Sequence, residues 1–199
     1  INSIAQICEK TGADVTQVAQ GLGMDSRVTH SYLNAGIGYG GIFFPKDIAA
    51  LVNIASEYHI NLDLVKSVEV INRYQRLNFV ERVERTLGGH HLEGKTIAVW
   101  GLAYRPHTDD MRDTPSLSII PSLVNRGATI RAYDPLAMEK AKEKLRDIIY
   151  CEDVYDSVKG ADAIVILTEW EEFTHVDFRR LKEESPCRVI IDGRNLFKP

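Results

Sequence analysis

The second half of the chain switches repeatedly between two periods, and that switching narrows the fold more than any other feature. From Thr96 onward, short apolar runs rich in β-branched residues alternate with segments of helical spacing. TIAVWGLAY (96–104), TIRAYDP (129–135), AIVILTEW (163–170) and RVIIDGRN (188–195) read as strands. TPSLSIIPSLVNRG (114–127) and residues 137–146, 154–159 and 176–184 read as helices. Thr114 at the cap and Pro115 at the first helical position mark the start of 114–127, and Pro121 lies inside it. Strands joined through helices run parallel, with right-handed crossovers. The expected class is α/β with a doubly wound parallel sheet. Ligands of such sheets sit at the carboxyl ends of the strands. Those ends are Tyr104-Arg105-Pro106, Tyr133-Asp134-Pro135, Thr168-Glu169-Trp170 and Asp192-Gly193-Arg194.

The first half reads as helices only. Ile1, Ile4, Ala5 and Cys8 lie at helical spacing; Gly12 ends that helix, and Asp14 caps the next, which carries Val15 and Val18. Asp47 is placed to cap a helix with Ile48, Leu51, Val52 and Ala55 on its apolar face. After a break at 60–63 comes a helix of about 25 residues, or about 37 Å at 1.5 Å per residue. One line along it runs Leu64, Val68, Ile71, Gln75, Asn78, Arg82, Arg85; an apolar stripe runs Val65, Ile71, Tyr74, Leu77, Val80, Val83, Leu87. Gly88-Gly89 and the polar run HHLEG mark a boundary. The expectation is an all-helical region, 1–88, joined by the long helix to a Rossmann-like sheet domain, 94–199.

Composition removes several function classes. The 199 residues carry a net charge of −4 and no basic run of five, which disfavours a nucleic-acid surface. Three scattered cysteines, Cys8, Cys151 and Cys187, form neither a CxxC pair nor a disulfide framework, and a reducing, cytoplasmic location is expected. No apolar run reaches the roughly 18 residues of a membrane span. His90-His91 has no third ligand and reads as a polar hinge rather than a metal site. The chain opens at Ile1, already in helical pattern, so a preceding N-terminal part is expected.

Residues 24–46 hold Gly36, Gly38, Gly40, Gly41 and Pro45 with little periodicity. Loops this long inside a compact protein are usually functional. Glycines permit close backbone approach to a ligand, and Tyr32 and Tyr39 can stack on a sugar or base. A binding loop and a well-packed capping loop both fit. The strand at 96–104 lacks the GxGxxG dinucleotide fingerprint and leads instead into GLAYRPHTDDMRDTPS. Arg105 and Arg112 there flank Asp109 and Asp110, and a phosphate site and a surface ion-pair cluster stand level. Asp134 has the position of a ribose-binding acid, without the glycines that accompany one.

DSRVTHSYLNAGIGYGG-IFFPKD, GKTIAVWGLAYRPHTDDMRDTPS, IRAYDP, ADAIVILTEWEEF and IIDGRN occur in one order across nearly the whole chain. In that order they resemble the UDP-glucose 6-dehydrogenase family, within the UDP-glucose/GDP-mannose dehydrogenases. The resemblance implies a helical core that makes a homodimer, a domain that binds the UDP-sugar, and an NAD-binding domain upstream. It implies two successive oxidations of the sugar 6-hydroxyl by NAD, through a thioester on a cysteine. The family loop reads GYGGSCFPKD, so its nucleophile falls on Phe43, which is not reactive. Asp47 matches the catalytic aspartate. Arg27, the stretch Tyr32, Leu33, Asn34, Ala35, Gly36, and also Gly40 and Arg105, match substrate-binding positions. Lys46, Arg112 and Arg194 match positions near the cofactor. A nucleotide-sugar-binding module without turnover, and a GDP-mannose or UDP-amino-sugar dehydrogenase, are the alternatives.

Overall fold

Strand β1 (Thr96–Trp100) is the centre of a five-stranded sheet in the computed structural model, which describes residues 1–89 and 91–197. His90, read above as part of the hinge, lies outside the described residues. The strands β2 (Thr129–Tyr133), β3 (Ile149–Tyr150), β4 (Ala163–Ile166) and β5 (Ile190–Asp192) complete the order β3-β2-β1-β4-β5, with every neighbouring pair parallel. β1 pairs in register with β2 from Thr96↔Thr129 to Trp100↔Tyr133, and with β4 from Ile97↔Ala163 to Trp100↔Ile166.

Both faces of the sheet are covered, which is why its inner strands β1 and β4 read as near-continuous apolar runs. Ile97 and Val99 pack with Ile119, Ile120 and Leu123 of α5 (Ser116–Val124), and with Phe79, Val80 and Val83 of α4 (Asp63–Thr86). Ala98 and Trp100 turn to the opposite face. There they meet α7 (Val154–Ser157), the 3-10 turn Glu171–His175, and Leu181 of α8 (Phe178–Glu184). Helix α6 (Met138–Lys144) follows β2. The helices ahead of α4 are α1 (Asn2–Thr11), α2 (Val15–Gly23) and α3 (Phe43–Glu57), with a 3-10 turn at His30–Tyr32.

The expected α/β class, with a helical N-terminal region and a parallel sheet beyond it, is present. Four details differ from expectation. The β1 strand stops at Trp100, because Gly101 turns with φ 88° against Thr168. Helix α3 starts at Phe43, so Asp47 lies inside it and does not cap it. Strand β3, two residues at the sheet edge, had no sequence signal. The fourth concerns α4. Its buried residues are Asn72, Gln75, Phe79, Val80, Val83 and Glu84, whereas Ile71, Tyr74 and Leu77 of the expected apolar stripe are exposed.

Candidate functional site

The glycine loop lies at the carboxyl edge of the sheet and is tied down from two sides. On the helical side, Tyr39 N–H donates to Asn72 Oδ1 (2.8 Å), and Asn72 Nδ2 donates to the Tyr39 carbonyl (3.1 Å). Gln75 Nε2 donates to the Gly36 carbonyl (2.7 Å), and Arg76 also reaches the Tyr39 carbonyl (2.8 Å). On the sheet side, Arg194 follows β5. Its Nε donates to the Leu167 carbonyl (2.8 Å), while its terminal nitrogens reach the Gly38 and Tyr104 carbonyls (3.4 Å each). Asn195 Nδ2 donates to the Ala35 carbonyl (2.9 Å), and Gly41 N–H to the Arg112 carbonyl (3.0 Å). Burial lowers the Arg194 pKa, and the Glu169 carboxylate opposes that. Glu169 Oε2 sits 3.3 Å from Arg194 Nε without hydrogen-bond alignment.

Two of the loop glycines are required by this packing. Gly38 has φ 100°, and a Cβ there would lie 2.5 Å from Asn72 Oδ1. At Gly40 a Cβ would run into the Asp113 carbonyl oxygen.

A cleft of about 460 Å³ opens beside Arg194 and Asn195. Leu33, Asn34 and Ala35 line it from the loop, and Glu169, Arg194 and Asn195 from the strand ends. Ala35 and Gly36 also border a larger cleft of about 730 Å³, walled by α1 and α4. Tyr32 stands 78% exposed at the loop rim. Phe43 is the first residue of α3, and its side chain projects into solvent; Lys46 and Asp47 follow it, also exposed. Arg105 lies against the Tyr104 ring, 5.5 Å from its centroid, and that ring in turn packs against Gly41. Arg27 is tied locally to Asp25 at 2.6 Å and is otherwise exposed. Arg112 pairs with Asp110 at 2.6 Å and holds that carboxyl below its usual range.

Asp134 is not free to take a ribose. Its Oδ2 accepts the Leu102 (2.6 Å) and Ala103 (3.1 Å) N–H groups and Trp170 Nε1 (3.2 Å). Its Oδ1 accepts Leu136 N–H (2.9 Å) and Ala137 N–H (2.8 Å). Five donors saturate the carboxylate, and it is 1% exposed. The acid fastens together the turns after β1, β2 and β4 and is structural. Sequence reasoning missed Asn72, Gln75 and Arg76 as partners of the loop. The available signal was two amide side chains at i and i+3, in helical line with Val68 and Phe79 rather than on the stripe expected to be apolar.

Residues 1–74 match the central domain of the UDP-glucose/GDP-mannose dehydrogenase family, and residues 98–199 match its UDP binding domain. A Bacillus subtilis protein, UDP-glucose 6-dehydrogenase TuaD, is 44% identical over 99% of this chain, which spans 42% of that protein. A UDP-glucose 6-dehydrogenase of Rhizobium meliloti is 40% identical over 100% of the chain, which spans 45% of it. This chain thus spans less than half the length of either relative. The structure of a UDP-glucose dehydrogenase from Pyrobaculum islandicum superposes with a TM-score of 0.89, at 32% identity, over 98% of this chain and 43% of that one. The chain belongs to the UDP-glucose/GDP-mannose dehydrogenase family.

Proposed function

We propose that the chain supplies the helical core and nucleotide-sugar domain of an NAD-dependent UDP-glucose 6-dehydrogenase, with domains at 1–88 and 94–199. One observation supports this above the others. The loop from Leu33 to Gly41 is latched across the carboxyl edge of a parallel sheet, where ligands of such sheets bind. In this reading Tyr32 to Gly36 and Gly40 offer backbone and small side chains to the sugar and its diphosphate. Arg105 faces the nucleotide, and Arg27 reaches the substrate of a second copy.

The cofactor does not fit the sheet described here. The N–H groups of Leu102 and Ala103 at the β1 turn, which would receive a dinucleotide diphosphate, are already taken by Asp134. Asp134 itself is saturated, so its ribose role is gone as well. Lys46 and Arg112 stand exposed, and in this reading they meet a cofactor held by another domain.

Phe43 stands where the family loop has its cysteine, and a phenyl ring has no lone pair to attack an aldehyde. No thioester forms on that residue. Asp47, one helical turn on, keeps the carboxylate of the water-activating position. A second reading, a module that binds the nucleotide sugar without turning it over, is favoured by the same Phe43. Exposed Leu51 and Ile54 on α3, and Leu64, Val68, Ile71 and Tyr74 on α4, support a homodimer through the central helices.

The test uses the full-length protein with UDP-glucose and NAD, together with calorimetry on the sugar nucleotide. NADH formation supports the dehydrogenase. Binding without NADH supports the second reading. No binding sinks both.

A further inference from the structure

A buried amide on a helix needs a reason. The N–H and carbonyl of a mid-helix residue serve the helix itself, so such a residue holds a neighbouring loop only through its side chain. Asn and Gln carry a donor and an acceptor on one planar group that stays neutral at every ordinary pH. An unpaired buried amide is costly. Asn72 and Gln75, both under 10% exposed, spend their amides on the glycine loop.

Asn72 meets both polar groups of Tyr39, as a neighbouring strand would. Gln75, one turn on and one methylene longer, takes the Gly36 carbonyl, and its Oε1 accepts from Gln6 of α1 at 2.7 Å. Gly36 N–H donates to Asn2 of the same helix at 2.9 Å. The positive φ of Gly38 and its missing Cβ leave just the room Asn72 Oδ1 occupies. The loop conformation and the amide are therefore complementary to each other. The two clamped points, Gly36 and Tyr39, lie between Leu33–Ala35 in the cleft and Phe43 at the head of α3.

We propose that Asn72 is a positioning residue, whose two-point amide clamp on Tyr39 sets the geometry of the sugar-nucleotide loop. It acts through the backbone of Tyr39, whose N–H and carbonyl engage both polar atoms of its amide. The link to ligand affinity rests on the functional reading above; the clamp itself does not.

The experiment measures amide hydrogen exchange at Tyr39, and UDP-glucose affinity by calorimetry, on the wild-type chain, N72A and N72D. In N72A, protection at Tyr39 falls at least tenfold while β1 and β4 amides keep theirs, and the Kd for UDP-glucose rises about tenfold or more. N72D gives a signature that a plain packing role lacks. A carboxylate accepts from Tyr39 N–H but repels the Tyr39 carbonyl, whereas the protonated acid restores donor and acceptor together. Because the repelled carbonyl pulls the loop away from the one bond that remains, its Tyr39 protection, normalised to wild type at each pH, is below wild type at pH 7 and recovers as the acid protonates; burial moves that recovery up in pH, and the Arg76 guanidinium on the same carbonyl moves it down. Unchanged Tyr39 protection in N72A overturns the clamp, as does a pH-independent N72D. A loosened loop with an unchanged Kd overturns the positioning role. A wild-type chain that does not bind UDP-glucose overturns the functional reading instead, and the exchange data still decide the clamp.

Discussion

Placing a thiol at position 43 asks directly what α3 does to the residue at its head. Phe43 is the first residue of a 15-residue helix, and its side chain is 75% exposed. No side chain caps that end, so first-turn N–H groups are left without an intrahelical partner. They favour an anion there by about 0.3–1 kcal/mol at an exposed site. At 1.36 kcal/mol per unit, that lowers an ordinary thiol from about 8.5 to roughly 7.8–8.3. Lys46 and Asp47 lie in the same opening turns with opposite charges and offset each other. The thiolate fraction at pH 7 then rises from about 3% to roughly 5–14%.

Iodoacetamide alkylation of F43C as a function of pH reads this value, with the wild-type chain as baseline. That baseline is low. Cys8 and Cys151 are 5% and 3% exposed, burial pushes the Cys151 thiol up to about 11, and burial raises Cys187 as well. The expected result is one fast thiol whose rate rises with an inflection below 8.5. An inflection at or above 8.5 would refute the reasoning, because it would mean that the α3 amides do not face the residue at 43.

Three further outcomes follow from the geometry. Asp134→Ala strands four backbone N–H groups and the Trp170 indole in the interior, and should cost about 3–5 kcal/mol in urea unfolding; a loss under 1 kcal/mol would show that the turns are held by other bonds. Gly38→Ala forces a side chain into a positive-φ site against Asn72 and should cost about 2–4 kcal/mol by the same assay. Leu64→Glu combined with Tyr74→Glu should convert a dimer to monomer in sedimentation velocity with circular dichroism unchanged, and a wild-type monomer at micromolar concentration would remove the dimer itself.

The sheet was legible because β1 and β4 are buried on both faces and show as apolar runs, while β2 and β5 carry β-branched residues bounded by turn residues. Strand β3 was not, since two half-exposed residues, Ile149 and Tyr150, make no pattern. The start of α3 was misjudged for a local reason. Pro45 was counted with the irregular segment 24–46, yet its missing N–H falls in the first turn of the helix, where no intrahelical bond is lost. Asp134 stood out by position, but position cannot tell a carboxylate that awaits a ribose from one already holding five N–H donors. Leu33, Asn34, Ala35 and Arg194 come together at one cleft, although their sequence separation gives no hint of it.

The inversion on α4 follows from what each of its faces meets. The C-terminal half packs on the sheet and buries Phe79, Val80 and Val83, as an amphipathic helix should. The N-terminal half meets loop backbone instead. Backbone groups kept from water need hydrogen-bond partners, so Asn72 and Gln75 fill that face, and Arg76 beside them also reaches the loop. What remains for the outside is Leu64, Val68, Ile71 and Tyr74, an apolar row that packing within this chain leaves partly to largely exposed. A helix that buries amides and exposes hydrophobes is uneconomical alone. The arrangement becomes favourable once a second copy covers the outer row, and on that ground the dimer is proposed.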